Sequence, residues 1–182
     1  MLKVEKNNNK SKASIAGRVI FWICIALIGA ALYTGLTHPV FRIYGSVMSP
    51  TLSEGDIVVA AEDTDPRRGD VVAVTYNSKI LIRRVIAVAG DTVDMDDNGN
   101  VFVNEERVDE PYASGKGEKG RNQASLTAMP VTVPDGAVFV LSDSRGAGSD
   151  SRDKDIGCLS CSSIQGKMML RIWPLSRIGL VR

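Results

Sequence analysis

Eighteen consecutive residues, Val19 to Leu36, carry no formal charge and follow directly on a basic segment. A run of that length lies near the lower end of the roughly 17–25 residues that an α-helix needs to cross a bilayer. Residues 1–18 hold Lys3, Lys6, Lys10, Lys12 and Arg18 against Glu5, a net +4, which leaves −3 for residues 19–182 of a chain totalling +1. A basic flank stays on the cytoplasmic side. The expected order is therefore a cytoplasmic tail (1–18), a transmembrane anchor (19–36) and an outer domain (37–182). A cleavable leader would have a shorter apolar stretch, about 7–15 residues, ending in a small-x-small site. The residues that follow, among them Tyr33, His38-Pro39 and Phe41-Arg42, offer no clean site of that kind. Residues 1–14, rich in Asn, Lys and Ser, are expected to be disordered.

The outer part is written in short strands. Asp56–Ala61, Asp70–Tyr76, Ile80–Val88 and Ala137–Leu141 are runs of β-branched and apolar residues set off by Gly, Asp and Pro. Thr92–Met95 and Val101–Val103 flank Asp96-Asp97-Asn98-Gly99-Asn100, which predicts a hairpin. Phe41 and Ile43 read as extended, and Lys167–Pro174 as the closing segment. The predicted class is an all-β extracytoplasmic domain carrying one N-terminal transmembrane helix. Residues 112–125 are expected to form an exposed loop, and 142–156 a polar loop rich in Asp and Arg.

A single histidine, His38, excludes multi-histidine metal sites and most Ser/His/Asp triads within this chain. No metal or other cofactor is expected. No basic stripe points to nucleic acid. Cys24 falls in the anchor. Cys158 and Cys161 form a lone C-x-x-C, compatible outside the cell with a short disulfide or with two free thiols.

The turn Gly45-Ser46-Val47-Met48-Ser49-Pro50-Thr51-Leu52 just beyond the anchor has the makings of a nucleophile turn at a membrane surface. A serine hydrolase without histidine needs another base, usually a lysine whose burial in apolar surroundings lowers its pKa. The apolar strand Ile80-Leu81-Ile82-Arg83-Arg84-Val85 carries arginine instead, which stays protonated and cannot take up a hydroxyl proton. Lys79 is a poor stand-in, roughly 13 Å from Arg83 along a strand.

Taken in order, five boxes resemble those of the bacterial type I signal peptidases, membrane-bound Ser/Lys enzymes that remove signal peptides. The first is Gly45–Leu52, and Gly55-Asp56-Ile57-Val58-Val59 and Arg68-Gly69-Asp70-Val71-Val72 follow. The fourth is Arg83-Arg84-Val85-Ile86 with Gly90-Asp91, and the fifth is Ser142-Asp143-Ser144-Arg145 with Gly148 to Arg152. The tail Gly166-Lys167 and Arg171–Leu175 is similar too. The resemblance implies a signal-peptidase-like β domain and places the nucleophile at Val47, the general base at Arg83 and the base-orienting serine at Gly148. All three are substituted. Asp143, Arg145, Asp150 and Arg152 match the family's framework residues. By the same resemblance, Met48, Ile82 and Arg84 would line the peptide cleft.

These departures imply a dyad-less member that binds extended peptide without cutting it, as do the Gram-positive members tied to surface pilus assembly. Its partners would be the lipid bilayer and secreted precursors or pilin subunits, and its place the cell membrane, crossed once. An active peptidase using Ser46 as a fallback nucleophile, and a structural membrane protein with an unused cleft, are the alternatives.

Overall fold

The computed structural model describes residues 8–62, 65–115 and 127–181. The chain divides into two compact units, Met1–His38 and Pro39–Arg182.

The first unit is the helix α1, Asn8–Thr37. It begins inside the stretch expected to be disordered. Residues 8–16 contain neither Gly nor Pro, so once the apolar run is helical each further residue toward the N-terminus adds a hydrogen bond without a new nucleation cost. Its apolar side chains lie open, with Ile20, Trp22 and Leu27 at 61%, 64% and 65% exposure. Among the described residues, no helix is long and apolar enough to cross a membrane. The span at 19–36 therefore rests on the sequence.

The second unit is all β, with two short 3₁₀ turns. In chain order its strands are β1 (Val40–Arg42), β2 (Ile57–Ala61), β3 (Val71–Tyr76), β4 (Lys79–Val88), β5 (Thr92–Met95), β6 (Val101–Val103), β7 (Glu106–Arg107), β8 (Val131–Thr132), β9 (Ala137–Leu141), β10 (Leu159–Ser160), β11 (Ile164–Trp173) and β12 (Gly179–Leu180). The larger sheet runs β1-β2-β11-β3-β4-β9-β10 with β12 against β11, and the smaller runs β7-β6-β5-β8.

Burial follows position in the sheet. Strand β2 alternates between half-buried and buried residues, whereas Val71-Val72-Ala73-Val74 of the central β3 are all buried. A strand covered on both faces has no solvated side to mark with polar residues. β3 and β4 join through Asn77-Ser78, both at positive φ (47° and 60°), the conformation that suits the right-handed twist of a two-residue hairpin. The hairpin expected between β5 and β6 forms over the loop 96–100, as the sequence spelled it. There Asp96 accepts from the N–H groups of Asn98 and Asn100 at 3.0 and 2.8 Å, and Gly99 takes φ +76°.

Three apolar clusters fill the domain. Ile43, Met48, Leu52, Val58, Val71 and Met168 anchor the first, which holds the turn before β2 against the sheet. The second lies between β4, β9 and the small sheet, and the third joins Val72, Val74, Val85, Val140 and Leu159. Cys158 packs on the second cluster and Cys161 on the third, and both are free thiols. Because the two side chains turn into different clusters, the disulfide option is not taken up.

The 112–125 segment is less exposed than expected over its described part. Tyr112 is half-buried and Ser114 forms a parallel bridge with Ser144, while residues 116–126 lie outside the described residues.

Candidate functional site

Three loops converge beside the middle of β4. The turn 45–52 is drawn tight by N–H donation from Ser49 to Ser46 O (3.0 Å) and from Leu52 to Met48 O (2.8 Å). Ser144 N–H donates to Val47 O at 3.0 Å, and the Ser114 hydroxyl donates to Ser49 O at 3.2 Å. Ser114 N–H donates to Asp143 O and its carbonyl accepts from Arg145 N–H, at 2.9 and 2.8 Å. The 142–152 loop is thereby fixed to the turn on one side and to the 112–115 segment on the other.

Its charged groups are interior, which is affordable only because each ion is paired and hydrogen-bonded. Arg84, 2% exposed, donates in a fork to Asp143, Nε to Oδ1 at 2.8 Å and Nη2 to Oδ2 at 2.7 Å. Its Nη1 donates to Gly69 O at 2.7 Å, and the guanidinium lies 3.9 Å over the Tyr112 ring. Thr51 Oγ1 donates to Asp143 Oδ2 at 2.5 Å. Arg152 grips Asp150 in a second fork at 2.9 and 2.7 Å, and the Ser142 hydroxyl donates to the same carboxylate at 2.6 Å. Arg145 donates to Ser142 O and pairs with buried Glu110. Asp143, Arg145, Asp150 and Arg152 thus form one connected framework.

Glu110, Thr51 and Tyr112 belong to that framework although sequence reasoning passed over them. A buried Arg145 demands a carboxylate, and that demand is the signal that could have pointed to Glu110. Met48 and Arg84, expected at a peptide cleft, are both buried. Met48 is 1% exposed inside the first cluster, and Arg84 is spent on Asp143. Ile82 is half-buried and packs against the first cluster.

Val47, Arg83 and Gly148 come together at one point. A Cβ placed on Gly148 would lie 2.7 Å from Val47 Cγ1 and 3.2 Å from Arg83 Nη2, and Gly148 sits at φ +76°. Both facts favour glycine there. Serine at 148 would collide with the valine methyl, so the residues at 47 and 148 are sterically coupled. The Arg83 guanidinium, on a residue 4% exposed, donates from Nε and Nη2 to Ser149 O at 2.9 and 2.7 Å, and from Nη1 to Ile82 O at 2.6 Å.

The chemistry of this junction is limited. Val47 has no heteroatom to attack a carbonyl, and arginine remains a cation. Burial, then the Glu110 carboxylate, pushes the Tyr112 phenol up to about 12, so it supplies no base near neutral pH. Ser46 is exposed on the turn, and among the described residues its hydroxyl has no hydrogen-bonded base. Lys79 is exposed where β4 begins.

Beside the junction the main chain of β4 reaches the end of its pairing with β9. Val85 N–H donates to Asp70 O and Val85 O accepts from Gly69 N–H, both at 2.8 Å, so residue 85 faces β3. Strand alternation then turns Arg83 and Leu81 toward β3, and Arg84, Ile82 and Ile80 the other way. Arg84 meets Leu141 of β9 there. Among the described residues no strand pairs with the outer side of Ile80 and Ile82.

The family model described as signal peptidase, peptidase S26, matches residues 15–173. The chain belongs to that family. It is 29% identical over 173 residues to signal peptidase I of Streptococcus pneumoniae serotype 4, a match covering 76% of this chain and 83% of the relative. With signal peptidase I T of Bacillus subtilis strain 168 the identity is 31% over 188 residues, covering 96% of each. A crystal structure of a signal peptidase I from Enterococcus faecalis aligns with TM-score 0.46 at 29% identity, covering 57% of this chain and 96% of that one.

Proposed function

We propose that this chain holds extended peptide at the outer face of the cell membrane and does not cut it. One observation carries the reading. The positions that a serine–lysine mechanism uses meet at a single point, and they bring to it a valine methyl, an arginine guanidinium and a glycine. No proton can leave a nucleophile there, because there is neither nucleophile nor acceptor. Strand addition asks only for an unpaired edge and side-chain pockets, and among the described residues no strand pairs with the outer side of Ile80 and Ile82.

In this reading residues 19–36 anchor the chain, with the 1–18 tail in the cytoplasm and the β domain outside. The basic flank and the exposed apolar surface of α1 support that orientation. Precursor peptides are the natural occupants, since the family acts on secreted preproteins. Pilin subunits, and a part in surface pilus assembly, follow from the resemblance to dyad-less Gram-positive members.

The test uses full-length protein in lipid nanodiscs, titrated with a fluorescent preprotein-derived peptide. The expected outcome is saturable binding with the peptide recovered intact. Turnover that disappears on Ser46→Ala would overturn the proposal in favour of an active peptidase.

A further inference from the structure

Arg83 does more than displace a base. Its Nη1 donates at 2.6 Å to Ile82 O, a carbonyl that strand alternation aims at the open edge, while Nε and Nη2 hold Ser149 O from the other side. β9 covers Arg84 through Leu141 and then turns away into the 142–152 loop. At the next outward-facing residue, Ile82, the guanidinium stands where the N–H of a neighbouring strand would stand. One step further, Ile80 is 55% exposed and pairs with Thr75 of β3 on its inner side, while no strand among the described residues lies on its outer side.

We infer that Arg83 sets the register of peptide docking by closing the edge at Ile82, so that an added strand pairs its main chain with Ile80 and stops short of the Val47 junction. This rests on the peptide-holding reading above and specifies where on the edge the peptide lies. A carbonyl oxygen has two lone pairs. To use the second, a strand would have to displace a planar group that three hydrogen bonds hold in place. The peptide therefore approaches β4 through its exposed first half and is kept away from the point where the family cuts. Arg83 acts here as a positioning residue that fixes which peptide amide finds an acceptor.

The experiment is an ester scan. A preprotein-derived peptide that binds the full-length protein is remade with single backbone amides replaced by esters, each change removing one N–H donor. On a fully open edge two esters, two residues apart, would weaken binding, one for Ile80 O and one for Ile82 O. The wild-type protein is expected to show a single sensitive position, with Kd raised roughly fivefold for one lost hydrogen bond. Arg83→Met, which keeps the bulk and removes the donors, is expected to acquire the second sensitive position two residues from the first. The wild-type scan is decisive even if that variant folds poorly. Two sensitive positions in the wild type overturn the inference, as does an unchanged pattern in a folded Arg83→Met. Binding by neither protein overturns the peptide-holding reading itself, and the register with it.

Discussion

Arg83 and Arg84 are neighbours on one strand, both almost wholly buried, and they are held in different ways. Arg84 forks onto the Asp143 carboxylate and stacks on Tyr112, whereas the hydrogen bonds of Arg83 shown here go to main-chain carbonyls of Ile82 and Ser149. The first arrangement ties the 142–152 loop to the sheet and requires particular partner side chains. These bonds of the second draw on carbonyls, which any sequence supplies. The room for arginine at position 83 is set by residues 47 and 148, whose atoms lie beside its guanidinium. The family's framework and its altered centre are thus separable.

Breaking the framework side of the comparison should have the largest effect. Arg84→Met leaves the Asp143 carboxylate buried without its fork, and a loss of about 3–5 kcal/mol is expected in urea denaturation. A loss below that of Arg83→Met would erase the distinction between the two arginines. Next comes the junction. Gly148→Ser places a Cβ 2.7 Å from Val47 Cγ1 at a positive φ and should cost about 2–3 kcal/mol. In a Val47→Ala background the cost should fall to half or less, and strict additivity of the two changes would show that the positions are not coupled.

Arg83→Met should cost less, about 1–2 kcal/mol, since the donors it removes serve part-buried, neutral main-chain carbonyls. The smallest effect is set by pH and lies away from the junction. The Arg68 guanidinium, opposed by burial and aided by the Val88 and Asn104 donors, holds the Asp91 carboxyl below its ordinary 3.8. A depressed carboxyl stabilises the fold above its ordinary value and loses that contribution as pH falls through the lowered one. The melting-temperature gap between wild type and Asp91→Asn should therefore be constant near neutrality and narrow below pH 3.8. A gap that widens on acidification would reverse the sign.

Much of this architecture was legible in the sequence. β3 and β9 stand out because central strands buried on both faces are spelled as nearly unbroken apolar, β-branched runs, and β2 and β4 because Gly, Asp and Pro set off their apolar residues. The framework carboxylates and arginines were legible as well, since buried charges must be paired and their partners sit in one loop. Other features left no mark. Arg83 is held by main-chain carbonyls, which carry no sequence signature, and the steric bond between Val47 and Gly148 spans 101 positions. Met48, which the resemblance puts at a cleft, is 1% exposed, because a turn beside a sheet can bury a side chain that its sequence position suggests is outward. Glu110 lies in a segment without periodicity, where only the demand of Arg145 could have singled it out.

The central claim is that the fold is retained while the cutting chemistry is absent. It is tested most directly by incubating a full-length preprotein with purified wild-type protein, and with Val47→Ser/Arg83→Lys/Gly148→Ser, and following the mature product by mass. The account predicts no product from the wild type and measurable product from the triple variant. Product of the mature mass from the wild type would contradict it.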